Sequence, residues 1–192
     1  MRAGRLFLAL SFAVALGACN DTTGIGEVTI LEDTVVLAAP SAAAADTLPT
    51  ALDVTVGVLG GSIGGGRFPE RVADVEQWDL ALRVRDGELR FFPPRALGFN
   101  RGTQSRAAIT RPMTGRTMDE VREAPASNQF LADSSVAVVQ GAVYVVRSRP
   151  AGCYAPFYAK IRPLEVNVAA GTVRLAVATT TPCGDLRLVA KD

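Results

Sequence analysis

The stretch Leu164-Glu165-Val166-Asn167-Val168-Ala169-Ala170-Gly171-Thr172-Val173-Arg174-Leu175-Ala176-Val177 decides the fold class. Leu164, Val166 and Val168 alternate with Glu165 and Asn167, and Val173, Leu175 and Val177 resume the alternation beyond Ala170-Gly171. A period of two sends successive side chains to opposite faces, so the pattern predicts two half-buried strands joined by a turn at Ala170-Gly171. The same grammar recurs upstream. Leu80, Leu82 and Val84 lead into Asp86-Gly87, and Leu89 and Phe91 follow. Asp-Gly between alternating runs is a strong hairpin signal, because a type I′ turn needs positive φ at both central residues. A further hairpin is expected from 136–139 and 142–146 around Gln140-Gly141, and a strand from the alternation of Leu52, Val54, Val56 and Val58. Shorter strands are expected at 28–31, 34–37, 158–162 and 186–189.

Helical signals are sparse. Thr117-Met118-Asp119-Glu120 fits a capping box, but Pro125 ends whatever begins there. Pro69 to Gln77 predicts another short helix, with proline at its first position. Ser41 to Ala45 reads as a loop. Hairpins in succession, without long crossover helices, predict an all-β domain: an antiparallel sandwich or open barrel built from hairpins, with one or two short helices.

The N-terminus reads as an address. Arg2 and Arg5 precede the apolar run Leu6 to Leu16, which is too short to span a bilayer and suits a signal-peptide core. Leu16-Gly17-Ala18-Cys19 resembles the lipobox of bacterial lipoproteins, in which the cysteine is acylated and the chain is cut just before it. This predicts a signal peptide at 1–18, a lipidated N-terminus and tether at 19–26, and a single β-domain at 27–192. Two or three acyl chains make a durable anchor where one does not. Asn20 in place of aspartate after Cys19 points, by the same resemblance, to the outer membrane.

Composition narrows the partners. The signal takes two of the 20 basic residues and none of the 19 acidic ones, leaving a near-neutral chain that does not suit a general nucleic-acid binder. Once Cys19 is acylated, Cys153 and Cys183 remain. In an oxidising compartment they are expected to pair, since neither a CxxC spacing nor a histidine supports a metal site.

The chain contains no histidine, so the commonest general base and metal ligand are missing. Gly60-Gly61-Ser62-Ile63-Gly64 matches the GxSxG elbow, but serine lacks a base, and no lysine follows a serine at SxxK spacing. Without GK[ST] it is not a phosphate loop either, and it reads as a loop between strands. Carboxylate clusters at Asp119, Glu120 and Glu123, and at Glu70, Asp74, Glu76 and Asp79, would be needed for a hydrolase. They read instead as solvated faces, and the chain is expected not to be an enzyme.

Arginine supplies the most suggestive polar pattern. Arg95, Arg101, Arg106, Arg111 and Arg116 recur about every five residues, and no acid lies between Glu88 and Asp119. Guanidinium groups so placed attract phosphates and carboxylates, so Arg101, Arg106, Arg111 and Arg116 are the candidate anion-binding residues. Phe91, Phe92, Phe99, Tyr154, Phe157 and Tyr158 could line an apolar pocket, or pack as core.

Four fragments together resemble the HmuY-like family of bacterial surface lipoproteins: 78–82 (WDLAL), 130–133 (FLAD), 141–147 (GAVYVVR) and 158–161 (YAKI). They fall in that family's order over about 50–180. The resemblance implies an all-β domain and a ligand-binding role, which in some members is haem capture. The best-known members ligate haem iron through histidines, which this chain lacks. Other members look to use methionine, which would assign Met113 and Met118 as haem ligands, with arginines pairing to propionates. The expectation is a membrane-anchored, non-enzymatic lipoprotein binding a small ligand or an envelope protein, with haem capture as the narrower alternative.

Overall fold

The computed structural model describes residues 28–55, 68–70 and 77–190. Among these residues, eleven strands form two antiparallel sheets that pack face to face. The larger has the order β1-β11-β10-β9-β6-β7, and the smaller β3-β2-β4-β5-β8. In chain order the strands are β1 (Thr29–Ala38), β2 (Ala51–Asp53), β3 (Phe68–Glu70), β4 (Leu80–Arg85), β5 (Glu88–Phe92) and β6 (Ala108–Thr110). They continue as β7 (Phe130–Leu131), β8 (Val136–Ala137), β9 (Tyr144–Pro150), β10 (Pro156–Asn167) and β11 (Thr172–Thr181). Helical structure among the described residues is confined to four single 3₁₀ turns, and none of it is long enough to cross a membrane.

Alternation builds the core between the sheets. Val35, Leu37, Ile109, Tyr144, Val146, Ile161, Leu175 and Val177 of the larger sheet meet Leu52, Leu80, Leu82, Leu89 and Phe91 of the smaller. Phe91 and Tyr144 join the layers edge to face, with ring centroids 5.6 Å apart. The Asp86-Gly87 hairpin forms as expected, with φ of 55° and 77° at its two central residues, joining β4 to β5.

Three expectations are corrected. First, the β10–β11 connection is a four-residue loop, 168–171. Asn167 Oδ1 accepts the Ala170 N–H at 2.9 Å, so Val168 leaves the strand and is half exposed. The register also skips Leu164, between Pro163↔Leu175 and Glu165↔Arg174. Second, 136–139 and 142–146 do not pair with each other. Val136–Ala137 joins β5 in the smaller sheet, while β9 lies between β10 and β6 in the larger. Gln140-Gly141 is thus a corner between sheets. The Tyr144 hydroxyl fixes it, accepting the Val139 N–H and donating to the Ala137 carbonyl, both at 2.8 Å. Third, the capping box closes without a helix. Glu120 accepts the Thr117 N–H at 2.7 Å, yet only a turn follows, because Val121 turns inward to pack with Phe130 and Leu188.

Smaller differences follow the same logic. Pro69 and Glu70 belong to a strand rather than a helix start, and 71–76 of the helix expected at 69–77 lie outside the described residues. The two N-terminal strands expected at 28–31 and 34–37 are one continuous strand, and 186–189 contributes only an isolated bridge, Arg187↔Glu123. The lipobox with Cys19, the GxSxG stretch, Val56, Val58, Asp74 and Glu76 lie outside the described residues.

Strand register sorts the molecule into two ends. Thr29 opposes Thr181, Pro156 opposes Pro150, and Ala108 opposes Arg147. One end therefore gathers the start of β1, the finish of β11, the β9–β10 loop and the start of β6. Cys153 and Cys183 are joined there by a disulfide. The Asp86-Gly87 turn, the 168–171 loop and the Gln140-Gly141 corner occupy the other end.

Candidate functional site

At the disulfide end, on the outer face of the larger sheet, lies a cleft of about 450 Å³. Strand pairing assembles it. Arg147 of β9 sits opposite Tyr158 of β10, and directly paired residues project from the same face. Val146 faces the core, so Arg147 and Tyr158 face outward. The 3₁₀ turn before β6 brings Ser105 and Arg106, and the turn after β5 brings Arg95. The β9–β10 loop adds Pro150, Tyr154 and Pro156.

Arg147 is held on two sides. Its Nε and Nη2 donate to the Arg106 carbonyl at 3.3 and 3.2 Å, and its guanidinium lies 5.3 Å from the Phe130 ring centre. Arg95 and Arg106 are exposed. None of the three makes a salt bridge among the described residues, and no aspartate or glutamate lines the cleft. Tyr154 stands fully exposed at the mouth, next to Cys153, whose disulfide ties the loop to the exit of β11. The result is a concave, positively charged surface with flat apolar walls. Its volume fits a small ligand or one headgroup.

The expected site residues distribute unevenly. Arg106 lines the cleft, whereas Arg101, Arg111 and Arg116 are exposed elsewhere and do not join it. Arg147, which the five-residue spacing does not include, is the central guanidinium. Met113 and Met118 pack against a second apolar cluster on the outer sheet face, built from Ala108, Val121, Phe130, Val143, Val145 and Leu188. Met113 also exchanges backbone hydrogen bonds with Val143 at 2.8 and 3.2 Å. Neither methionine lines the cleft. Of the aromatic candidates, only Tyr154 and Tyr158 do so. Phe91 is inter-sheet core, Phe92 and Phe99 pack with Trp78, and Phe157 is buried.

A second polar constellation corrects the expectation that Asp79 belongs to a solvated face, since it is buried, and sequence reasoning missed its other members, Asp53 and Arg149. A β-bulge sets Ser148 and Arg149 against Phe157 between β9 and β10. Arg149 crosses to the facing sheet, where Nη2 meets Asp53 at 2.6 Å and Nη1 meets Asp79 at 3.1 Å. Asp79 also accepts the Arg149 and Val54 N–H groups, while Asp53 accepts both donors of Thr55. Burial, and then the negative charge of Asp53, push the Asp79 carboxyl up to about 7, against the pull of Arg149. Two carboxylates with one raised pKa suggest acid–base chemistry. Their oxygens are instead saturated by protein donors, and Asp79 is completely buried. The triad is a tie between sheets.

Among the described residues, Lys160 is the other buried cation. Its Nζ donates to the Met118 carbonyl at 2.8 Å, and burial lowers its pKa. It fastens the 111–124 segment onto the sheet. Asp119 and Glu123 are exposed, and Glu120 is engaged with Thr117. Among the described residues, no three histidine, cysteine, aspartate or glutamate side chains are placed to hold a metal. No family model, curated protein or solved structure matches the chain.

Proposed function

We propose that this chain is a lipid-anchored protein of the bacterial cell envelope, without enzymatic activity, whose β-sandwich binds an anionic ligand in the arginine cleft. The observation that carries the proposal is the meeting of Arg95, Arg106 and Arg147 in one concavity with no acid in its lining. Uncompensated guanidiniums at a half-open surface attract a phosphate or carboxylate and accept it bidentately. The tyrosine and proline walls suit the body of the same ligand. Nothing in the cleft supplies a nucleophile with a base beside it, so binding rather than turnover is its chemistry.

Calorimetric titration with glycerol 1-phosphate tests the cleft. Binding is expected, and Arg106→Gln or Arg147→Gln should weaken it about tenfold, as loss of a charged hydrogen bond does. Absence of binding, or equal binding by the variants, overturns the assignment. The anchor has a separate test. Cys19→Ala is expected to abolish acyl labelling and to stop processing before residue 19; an acylated variant would refute the lipobox reading.

A further inference from the structure

We infer that the arginine cleft engages the membrane to which the chain is tethered, seating the phosphate of an anionic lipid headgroup while Tyr154 enters the interface. The inference rests on the lipid-anchor reading above and names the ligand of the same site. Three observations converge on it.

The first is topological. The described domain begins at Val28, and β1 starts opposite the end of β11, at Thr29↔Thr181. The same end carries the β9–β10 loop and the cleft, so chain entry and cleft share one end of the sandwich. The second is reach. Nine residue steps separate Cys19 from Val28, and such a stretch spans at most roughly 30 Å however it is arranged. A domain leashed that closely, and by that end, presents the cleft end toward the bilayer rather than the hairpin end.

The third is chemical. Tyr154 is fully exposed beside the disulfide, and tyrosine at a protein tip is suited to the headgroup level, where its ring is buried and its hydroxyl stays wet. Arg95, Arg106 and Arg147 stand behind it with no acid among the lining residues. Each cation near an anionic leaflet strengthens engagement about fivefold, so three together contribute on the order of 100-fold. The open cleft needs no rearrangement to accept a headgroup from the plane of a membrane.

The test uses the acylated protein reconstituted in vesicles, carrying Tyr154→Trp as a depth probe. Trp78, the native tryptophan, is completely buried and supplies a constant background in the parent. Vesicles contain bromine-labelled phosphatidylcholine, alone or with phosphatidylglycerol. Quenching of the probe is expected with phosphatidylglycerol and not without it, and it should fade at 0.5 M salt. Arg95→Gln combined with Arg106→Gln should remove most of it, and adding Arg147→Gln the rest. Because Arg147 also holds the 3₁₀ turn, the exposed pair alone keeps the test valid if the triple variant unfolds.

Equal quenching in neutral and anionic vesicles overturns the inference, because the arginines would then play no part. Absence of quenching in both, with glycerol 1-phosphate still bound in calorimetry, also overturns it while leaving the anion cleft standing for a soluble ligand. Absence of both signals removes the cleft assignment as well.

Discussion

Arg149 is the side chain with most at stake. It lies between Asp53 and Asp79 with almost no solvent contact, and an ion pair removed from water contributes little net stability while its partners depend on it completely. Arg149→Met strands two buried carboxylates and is expected to cost about 3–5 kcal/mol, measured by denaturant unfolding. Asp79 gives the same triad a pH signature. Its pKa rises in the fold from 3.8 to about 7, so the folded state holds a proton that the unfolded chain releases. The proton-bound form is favoured at low pH, and ionisation costs the fold progressively as pH rises through that window. Melting temperature should therefore fall between about pH 4 and pH 7 and level off above that, and Asp79→Asn should flatten the profile. No histidine is present to titrate over the same range. None of this is legible in the sequence. Asp53 and Asp79 read as outward members of alternating strands, and the bulge that turns Arg149 inward leaves no mark in composition or period.

At the scale of elements, the alternating runs are legible wherever strand and turn agree. β4, β5 and the Asp86-Gly87 turn are all written locally, since the turn needs positive φ and the flanks have period two. The second hairpin shows where local reading stops. Val136 to Val146 has the pattern of two paired strands, but pattern specifies which face is apolar and not which sheet supplies the partner. Here a tyrosine decides. The Tyr144 ring packs on Phe91 while its hydroxyl takes up a donor and an acceptor from 137–139, which holds the crossing segment as the tyrosine corner does in other sandwiches. Tyr144→Phe keeps the ring and orphans the Val139 N–H. A loss of about 1–3 kcal/mol is expected in thermal or urea unfolding, with little change in overall secondary structure.

Across the whole molecule, the disulfide closes the end at which the cleft lies. Cys153 and Cys183 are 30 residues apart, and a cross-link of that span stabilises by about 3–4 kcal/mol, mainly by restricting the unfolded chain. Cys153→Ser is expected to lower stability by that amount. It should also weaken glycerol 1-phosphate binding, because the loop carrying Tyr154 loses its attachment to the end of β11. A loss of stability without a loss of binding would show that the loop is held by β9 and β10 alone. The pairing was legible by elimination, but the cleft was legible only in kind. An arginine-rich, acid-free stretch announces positive charge, yet Arg95 and Arg106 meet Arg147 only because β6 and β9 are neighbours, a pairing separated by about forty residues of chain.

The pairing of β1 with β11 joins the first and the last of the described strands over ten registered positions, from Thr29↔Thr181 to Ala38↔Thr172. Contacts so distant in sequence form slowly, because the chain between them must first be ordered. A polypeptide emerging N-terminus first carries β1 without its partner until residues 172–181 have arrived, so this edge of the sheet forms only after the intervening strands have been made. Until then both edges of β1 are open to any neighbouring chain, and one of them stays open in the finished sheet; the charges of Glu32 and Asp33 on that strand disfavour such pairing throughout.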